Sequence, residues 1–242
     1  MITSVDNSRV KDVLRLRKSR ERKRAGLFVV EGPREVARAR AAGLNLVSTY
    51  YAPELLAWPH GGEEVSERVL RKMAYRAEPE GVLAVVEIPQ RELPPNGSLY
   101  LVAVGIEKPG NLGAMARSAD AAGADALLVA DAEVDPWNPN AIRASTGAVF
   151  TLPVLETHLD EVRALDAQLV AAVVDAEAAY TDVDLARPTA LVVGAEDAGL
   201  DARWRGAADA TVSIPMRGRV ADSLNAANAA AILLFEALRQ RG

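Results

Sequence analysis

Leu99-Tyr100-Leu101-Val102-Ala103-Val104, followed closely by Glu107-Lys108-Pro109-Gly110-Asn111-Leu112-Gly113-Ala114-Met115-Ala116-Arg117, is the stretch on which the fold turns. An unbroken apolar run of this length reads as a strand covered on both faces, because a half-exposed strand would alternate apolar and polar residues. The run feeds a glycine-bearing loop that opens a helix. Three further runs repeat the pattern: Ala126–Val129, Leu169–Val174 and Ala190–Val193. Shorter strands are expected at Val149–Pro153 and Thr211–Ile214, and helices near 112–122, 139–146, 158–166, 200–207 and 223–240. Alternating strands and helices predict an α/β fold with a parallel sheet covered on both sides. In such sheets ligands bind at the carboxyl ends of the strands, so the loops after Val104, Val193 and Ile214 are where chemistry is sought.

Working outward, the segment Ile88-Pro89-Gln90-Arg91-Glu92-Leu93-Pro94-Pro95-Asn96-Gly97-Ser98 has the composition of a linker. It divides the chain into a unit over 1–88, a linker over 89–98 and a unit over 99–242. The first unit reads as alternating helices and strands: helix 7–23, strand 27–30, helix 33–42, strand 45–51, helix 64–74 and strand 82–88. Pro33 suits the first turn of its helix.

The 242 residues carry a net charge of −5, which by itself disfavours a polyanionic partner. The distribution says otherwise. Between Arg9 and Arg24 stand nine Lys/Arg against Asp12 and Glu21, so this segment carries +7 and the remaining chain −12. Such a basic patch can hold phosphates locally. Arg9, Arg15, Lys18, Arg22, Lys23, Arg24 and, in the second unit, Arg143 are the candidate phosphate ligands. The chain has no cysteine and only His60 and His158. Thiolate zinc sites and His-rich metal sites are excluded on composition, and a reducing cytoplasm is the expected location. No membrane span or signal peptide is expected.

Three loops carry the chemical signal. In the first, Gly110 and Gly113 allow close backbone approach, and Asn111 and Arg117 lie within two helical turns of each other. It is not the G-x-G-x-x-G fingerprint of a dinucleotide site, and none occurs elsewhere. The second is Gly194-Ala195-Glu196-Asp197-Ala198-Gly199-Leu200, a glutamate at a strand end flanked by glycines. It reads equally as a ligand site or as a helix entry with acids placed to suit the dipole. The third runs through Ile214-Pro215-Met216 to Ser223-Leu224-Asn225, with Ser223 the expected N-cap of the last helix.

Taken together these loops resemble the SpoU/TrmH family of RNA 2′-O-ribose methyltransferases, over roughly residues 98–242. The first motif matches at Asn111-Leu112-Gly113 through Arg117, the second at Gly194-Ala195-Glu196 through Gly199-Leu200, and the third at Ile214-Pro215-Met216 and Ser223-Leu224-Asn225. Arg143-Ala144-Ser145-Thr146-Gly147 resembles a further turn of the family. Residues 1–88, with Phe28-Val29-Val30-Glu31-Gly32, are similar to the substrate-binding unit that many members carry. The Ser223–Ala230 stretch resembles the ribosomal RNA branch, which includes avilamycin-resistance enzymes.

The resemblance implies a C-terminal trefoil knot, a homodimer, and S-adenosylmethionine bound by Gly194, Gly199, Ile214, Met216 and Leu224. It implies methyl transfer to a ribose 2′-hydroxyl, with Asn111, Arg117, Glu196, Ser223 and Asn225 as the catalytic set and no metal. An arginine stays protonated at any accessible pH, so Arg117 is read as stabilising developing negative charge beside a substrate phosphate rather than as a base. 23S ribosomal RNA is the expected substrate and transfer RNA the alternative. A catalytically inactive RNA-binding protein, or an α/β enzyme using a nicotinamide or nucleotide cofactor, are the readings from other classes.

Overall fold

The computed structural model describes residues 1–131 and 134–242. Two sheets divide its strands. The first has the order β1-β4-β2-β3. In it β1 (Leu27–Glu31) and β2 (Leu46–Tyr51) both run antiparallel to β4 (Val82–Glu87), and β3 (Glu63–Glu64) closes the edge. β1 and β4 are apolar up to their terminal residues, Glu31 and Glu87, and alternate residues serve opposite faces. Phe28, Val30, Ala84 and Val86 face α3 (Pro33–Ala41) and the second half of the chain, while Val29, Leu83 and Val85 join Val10, Val13 and Leu70 in a separate core.

The second sheet is parallel, in the order β10-β8-β9-β5-β6-β7. Its centre is β9 (Thr189–Val193), β5 (Leu99–Val104) and β6 (Ala126–Ala130), in which every residue is buried. β7 (Val154–Thr157), β8 (Gln168–Ala172) and β10 (Ala210–Val212) complete it. Leu101 and Leu191 point to one core, shared with α5 (Pro109–Ala121) and α9 (Ala226–Arg241); Val102 and Val192 point to another, with Trp204 of α8 (Ala202–Ala207). The expected α/β class and parallel sheet are therefore observed.

Four local expectations are corrected. The helix over 7–23 is two helices, α1 (Ser8–Arg15) and α2 (Ser19–Ala25), because Asn7 caps the first and the backbone turns at Leu16–Lys18. No strand forms at 149–153. There Thr146 and Gly147 have φ of 51° and 92°, a 3-10 turn follows over Ala148–Phe150, and the strand is displaced to Val154–Thr157. The last helix begins at Ala226 rather than 223, since Asn225 and not Ser223 is its N-cap. Finally, Gly113 does allow a close approach, but to α6 (Pro139–Ser145). A Cβ there would lie 2.2 Å from the Ala141 carbonyl oxygen and 2.7 Å from Ala144 Cβ.

The two sheets are joined by a buried ion pair. Arg22 of α2 is 1% exposed; its guanidinium donates to Asp135 at 2.6 Å and to the carbonyls of Leu16 and Arg17. Ser19 donates to the same carboxylate, and Phe28 packs on Trp137 with centroids 4.6 Å apart. Burying a charge without partners is costly, so the four contacts to one guanidinium are what permit it to sit there.

Candidate active site and RNA interface

The three signal loops converge at the carboxyl ends of β5, β9 and β10. Asn225 joins them. Its Oδ1 accepts from the backbone N–H groups of Ala227 and Asn228, capping α9. Its Nδ2 donates to Asn111 Oδ1 at 3.2 Å and to Glu196 Oε1. An amide suits this because it accepts through its oxygen and has two N–H groups for two acceptors, whereas a carboxylate has none and a hydroxyl only one. One side chain thus fastens the first, second and third loops to the start of the last helix.

Glu196 is held from two sides. Lys108, the residue before α5, donates to its Oε2 at 2.5 Å. The ammonium beside it, and hydrogen bonds including one from the Ala226 N–H, hold the Glu196 carboxyl below the usual range against the opposing effect of burial. The same pair raises Lys108. Glu196 is consequently an ionised acceptor at neutral pH. Its loop is tight: a Cβ on Gly194 would meet the Gly199 carbonyl carbon at 2.4 Å, and Gly199 has φ of 63°. Glycine is required at both positions for different reasons, one for space and one for the left-handed backbone.

Behind Glu196 lies a cleft of about 770 Å3. It is lined by residues 193–200 and 212–216, with Val193, Ile214 and Leu224 among its apolar residues and Glu196, Asp197 and Asp222 among its acidic ones. Gly194, Gly199, Ile214, Met216 and Leu224 all line it, as do Glu196 and Ser223. Such a volume and mixture suit a nucleoside-sized ligand. Its carboxylates suit one that carries positive charge. Ser223 and Met216 are exposed, and Ser223 has no side-chain hydrogen bond among the described residues.

Arg117 stands apart. It is exposed and makes no side-chain hydrogen bond or ion pair with the described residues. Six residues of α-helix place it about 9 Å along the axis from Asn111 and about 120° around it. The structure brings together Asn111, Glu196 and Asn225, and does not bring Arg117 to them. Lys108 was missed from sequence: a lone lysine beside a proline has no signature, and only the fold reveals that Glu196 lies opposite.

The basic segment is less free than its composition suggests. Arg22 is the clear correction: it is buried in the Asp135 pair and unavailable to a phosphate. Arg9 pairs with Glu63, Arg15 with Asp12 at 3.0 Å, Lys23 with Glu156 at 2.6 Å and Arg24 with Glu21 at 2.5 Å. These cations remain exposed, and such surface pairs are weak enough for phosphate to displace. Lys18 and Arg143 are exposed without a comparable partner among the described residues. Arg9, Arg15 and Arg24 also edge a groove of about 610 Å3 floored by Val13, Leu16 and Tyr50. Among the described residues no cluster of three His, Cys, Asp or Glu is placed to hold a metal, and no helix is long and apolar enough to cross a membrane.

Residues 98–235 match the model of the SpoU rRNA Methylase family, and residues 7–84 match that of the MRM3-like substrate binding domain. The 23S rRNA (guanosine(2553)-2′-O)-methyltransferase of Bacillus subtilis is 31% identical over 97% of this chain and 97% of its own length. A crystal structure of an RNA 2′-O ribose methyltransferase superposes with a TM-score of 0.86 at 44% identity, covering 99% of this chain and 98% of that one. The SpoU methyltransferase AviRb from Streptomyces viridochromogenes, solved in complex with the cofactor AdoMet, gives 0.87 at 33% identity, covering 97% and 98%. With loops, cleft and sequence in agreement, the chain belongs to the SpoU rRNA methylase family.

Proposed function

We propose that this protein methylates a ribose 2′-hydroxyl of 23S ribosomal RNA, using S-adenosylmethionine. The observation that carries the proposal is the joining of Asn111, Glu196 and Asn225 at the rim of a nucleoside-sized cleft. Gly194, Gly199, Ile214, Met216 and Leu224 would hold the cofactor: the cleft they line is large enough for its adenosine, and the carboxylates of Glu196, Asp197 and Asp222 suit its positive charge. When bound, it supplies an electrophilic methyl group.

The chain's own residues must then present the hydroxyl and manage its proton. Glu196, ionised, accepts a hydrogen bond from the ribose, and Asn111 and Asn225 fix the orientation of that carboxylate. Ser223, exposed at the cleft, contacts the ribose or cofactor edge. Arg117, exposed and set apart from these three in the single chain, would reach the oxygen only in the RNA-bound state, where it would offset the developing negative charge while a substrate phosphate takes the proton.

Residues 1–88 form the RNA-binding unit, 89–98 the connection and 99–242 the catalytic unit, with Arg9, Arg15, Lys18, Lys23, Arg24 and Arg143 toward the phosphates. Two features support the knot and the homodimer that go with this reading. The sheet order β10-β8-β9-β5 returns the chain so that α9 packs beside α5. On α9, Phe235 and Leu238, one turn apart, are 48% and 39% exposed and uncovered in a single chain. The cytoplasm, where ribosomal RNA is matured, is the matching location.

The test is transfer of labelled methyl from S-adenosylmethionine to 23S ribosomal RNA and, separately, to transfer RNA, followed by nuclease digestion and mass spectrometry. Label on a ribose of the ribosomal RNA is expected. Label on transfer RNA alone would transfer the assignment to that substrate, and failure to bind the cofactor would overturn the reading.

A further inference from the structure

Lys108 and Glu196 make an unequal pair. The lysine side chain is 67% exposed and the glutamate side chain 20%. The glutamate is fixed by Asn225 and the Ala226 N–H. The lysine, at the end of a loop with Glu107 beside it, is held among the described residues by this contact alone. The surroundings are acidic: Glu107, Glu196 and Asp197 line the crevice that Lys108 spans, and Asp222 stands at the adjoining cleft. Among the described residues Lys108 is the one cation lining that crevice. A polyanion that presents a ribose to Asn111 and Glu196 meets three carboxylates and this single ammonium.

We propose that Lys108 is a positioning residue that changes partner when RNA binds: its ammonium leaves Glu196 for the phosphate beside the target ribose. The exchange has two effects. It offsets the repulsion between that phosphate and the acidic loops, and it vacates Glu196 Oε2 as an acceptor for the ribose. The physical reason is that an ion pair this exposed contributes little, whereas a compact ammonium on a flexible four-carbon stem is well suited to follow a phosphate. No bond is made or broken covalently. The inference rests on the RNA methyltransferase reading for its substrate.

The test compares wild type, Lys108→Ala and Lys108→Arg for binding to an in vitro transcript of 23S ribosomal RNA across a salt series. One lost phosphate contact lowers the slope of log affinity against log salt by about 0.7 to 0.9. The alanine protein is expected to show that loss, with a KM for RNA that rises by about tenfold and more than kcat falls. The arginine protein is expected to restore the slope. An unchanged slope in the alanine protein, with only kcat reduced, would assign Lys108 to holding Glu196 and overturn the proposal. Binding is read without turnover, so a wild-type protein that binds this RNA but transfers no methyl would count against the function while leaving the lysine contact measurable.

Discussion

The cluster at Asn111, Glu196 and Asn225 and the basic segment from Arg9 to Arg24 were both conspicuous in sequence, and the fold treats them differently. The first three residues, Asn111 and Asn225 being 114 positions apart, meet because each lies in a segment that follows the carboxyl end of a strand in one parallel sheet. The basic residues are neighbours in sequence and are dispersed: Arg22 turns inward, while Arg9, Arg15, Lys23 and Arg24 each find a carboxylate. Helical geometry turns successive side chains through about 100°, so adjacency in a charge run says little about a shared surface. Position at strand ends, by contrast, is imposed by the sheet.

The largest effect should come from Arg22→Ala, which leaves Asp135 buried without its cation and removes two carbonyl contacts. A loss of about 3 to 5 kcal/mol is expected in denaturant unfolding. The double variant Arg22→Met with Asp135→Leu should recover much of it; failure to do so would mean that the pair and its hydrogen bonds contribute net stability that apolar side chains at these positions do not replace. RNA affinity of the folded double variant should match wild type, whereas a loss there would restore Arg22 to the binding surface.

Next comes Arg117→Ala. If the exposed arginine offsets charge on the reacting oxygen, turnover falls by about 10²- to 10³-fold with the melting temperature unaltered. Turnover at the wild-type rate with unaltered RNA affinity would remove Arg117 from the catalytic set.

Asn225→Ala tests whether the joining residue is structural as well as functional. Loss of the cap is expected to cost about 1 kcal/mol, read as a lower melting temperature, while Asn225→Asp keeps the cap but sets a second carboxylate against the ionised Glu196 and so recovers only part of that stability. Activity should separate the two roles, since an aspartate caps the helix but cannot donate to Glu196.

The smallest effect is on pH dependence. Glu236 of α9 is buried beside Arg239 and Gln240, which hold its carboxyl down to about 2 from an ordinary 4.5. The unfolded chain takes up this proton first, so the stability it contributes is complete above pH 4.5 and is lost as pH falls toward 2. Glu236→Gln should flatten the stability profile in that window only. A profile as steep as wild type would place the acid sensitivity elsewhere.

Much of this was legible beforehand for a physical reason. Continuous apolar runs such as Leu99–Val104 have no other low-energy use than a doubly covered strand, so class, strand count in the centre of the sheet and loop positions followed from local chemistry. Boundaries did not follow where two local preferences competed. Ser223 and Asn225 are both good caps, and Asn225 prevails because its amide has two further acceptors waiting in other loops. The strand expected at 149–153 gave way to a 3-10 turn, since Phe150 is needed in the core beside Phe28.

By itself, then, the sequence determined the alternation of strands and helices, the three loops that bear the chemistry, and the absence of cysteine-based metal or redox sites. Tertiary structure alone decided that Gly113 serves helix packing, that Arg22 is an internal tie rather than a phosphate ligand, and that Lys108 faces Glu196. Each of these depends on contact between residues far apart in the chain, and such contacts arise only when burial of the apolar strands has set where every loop must stand.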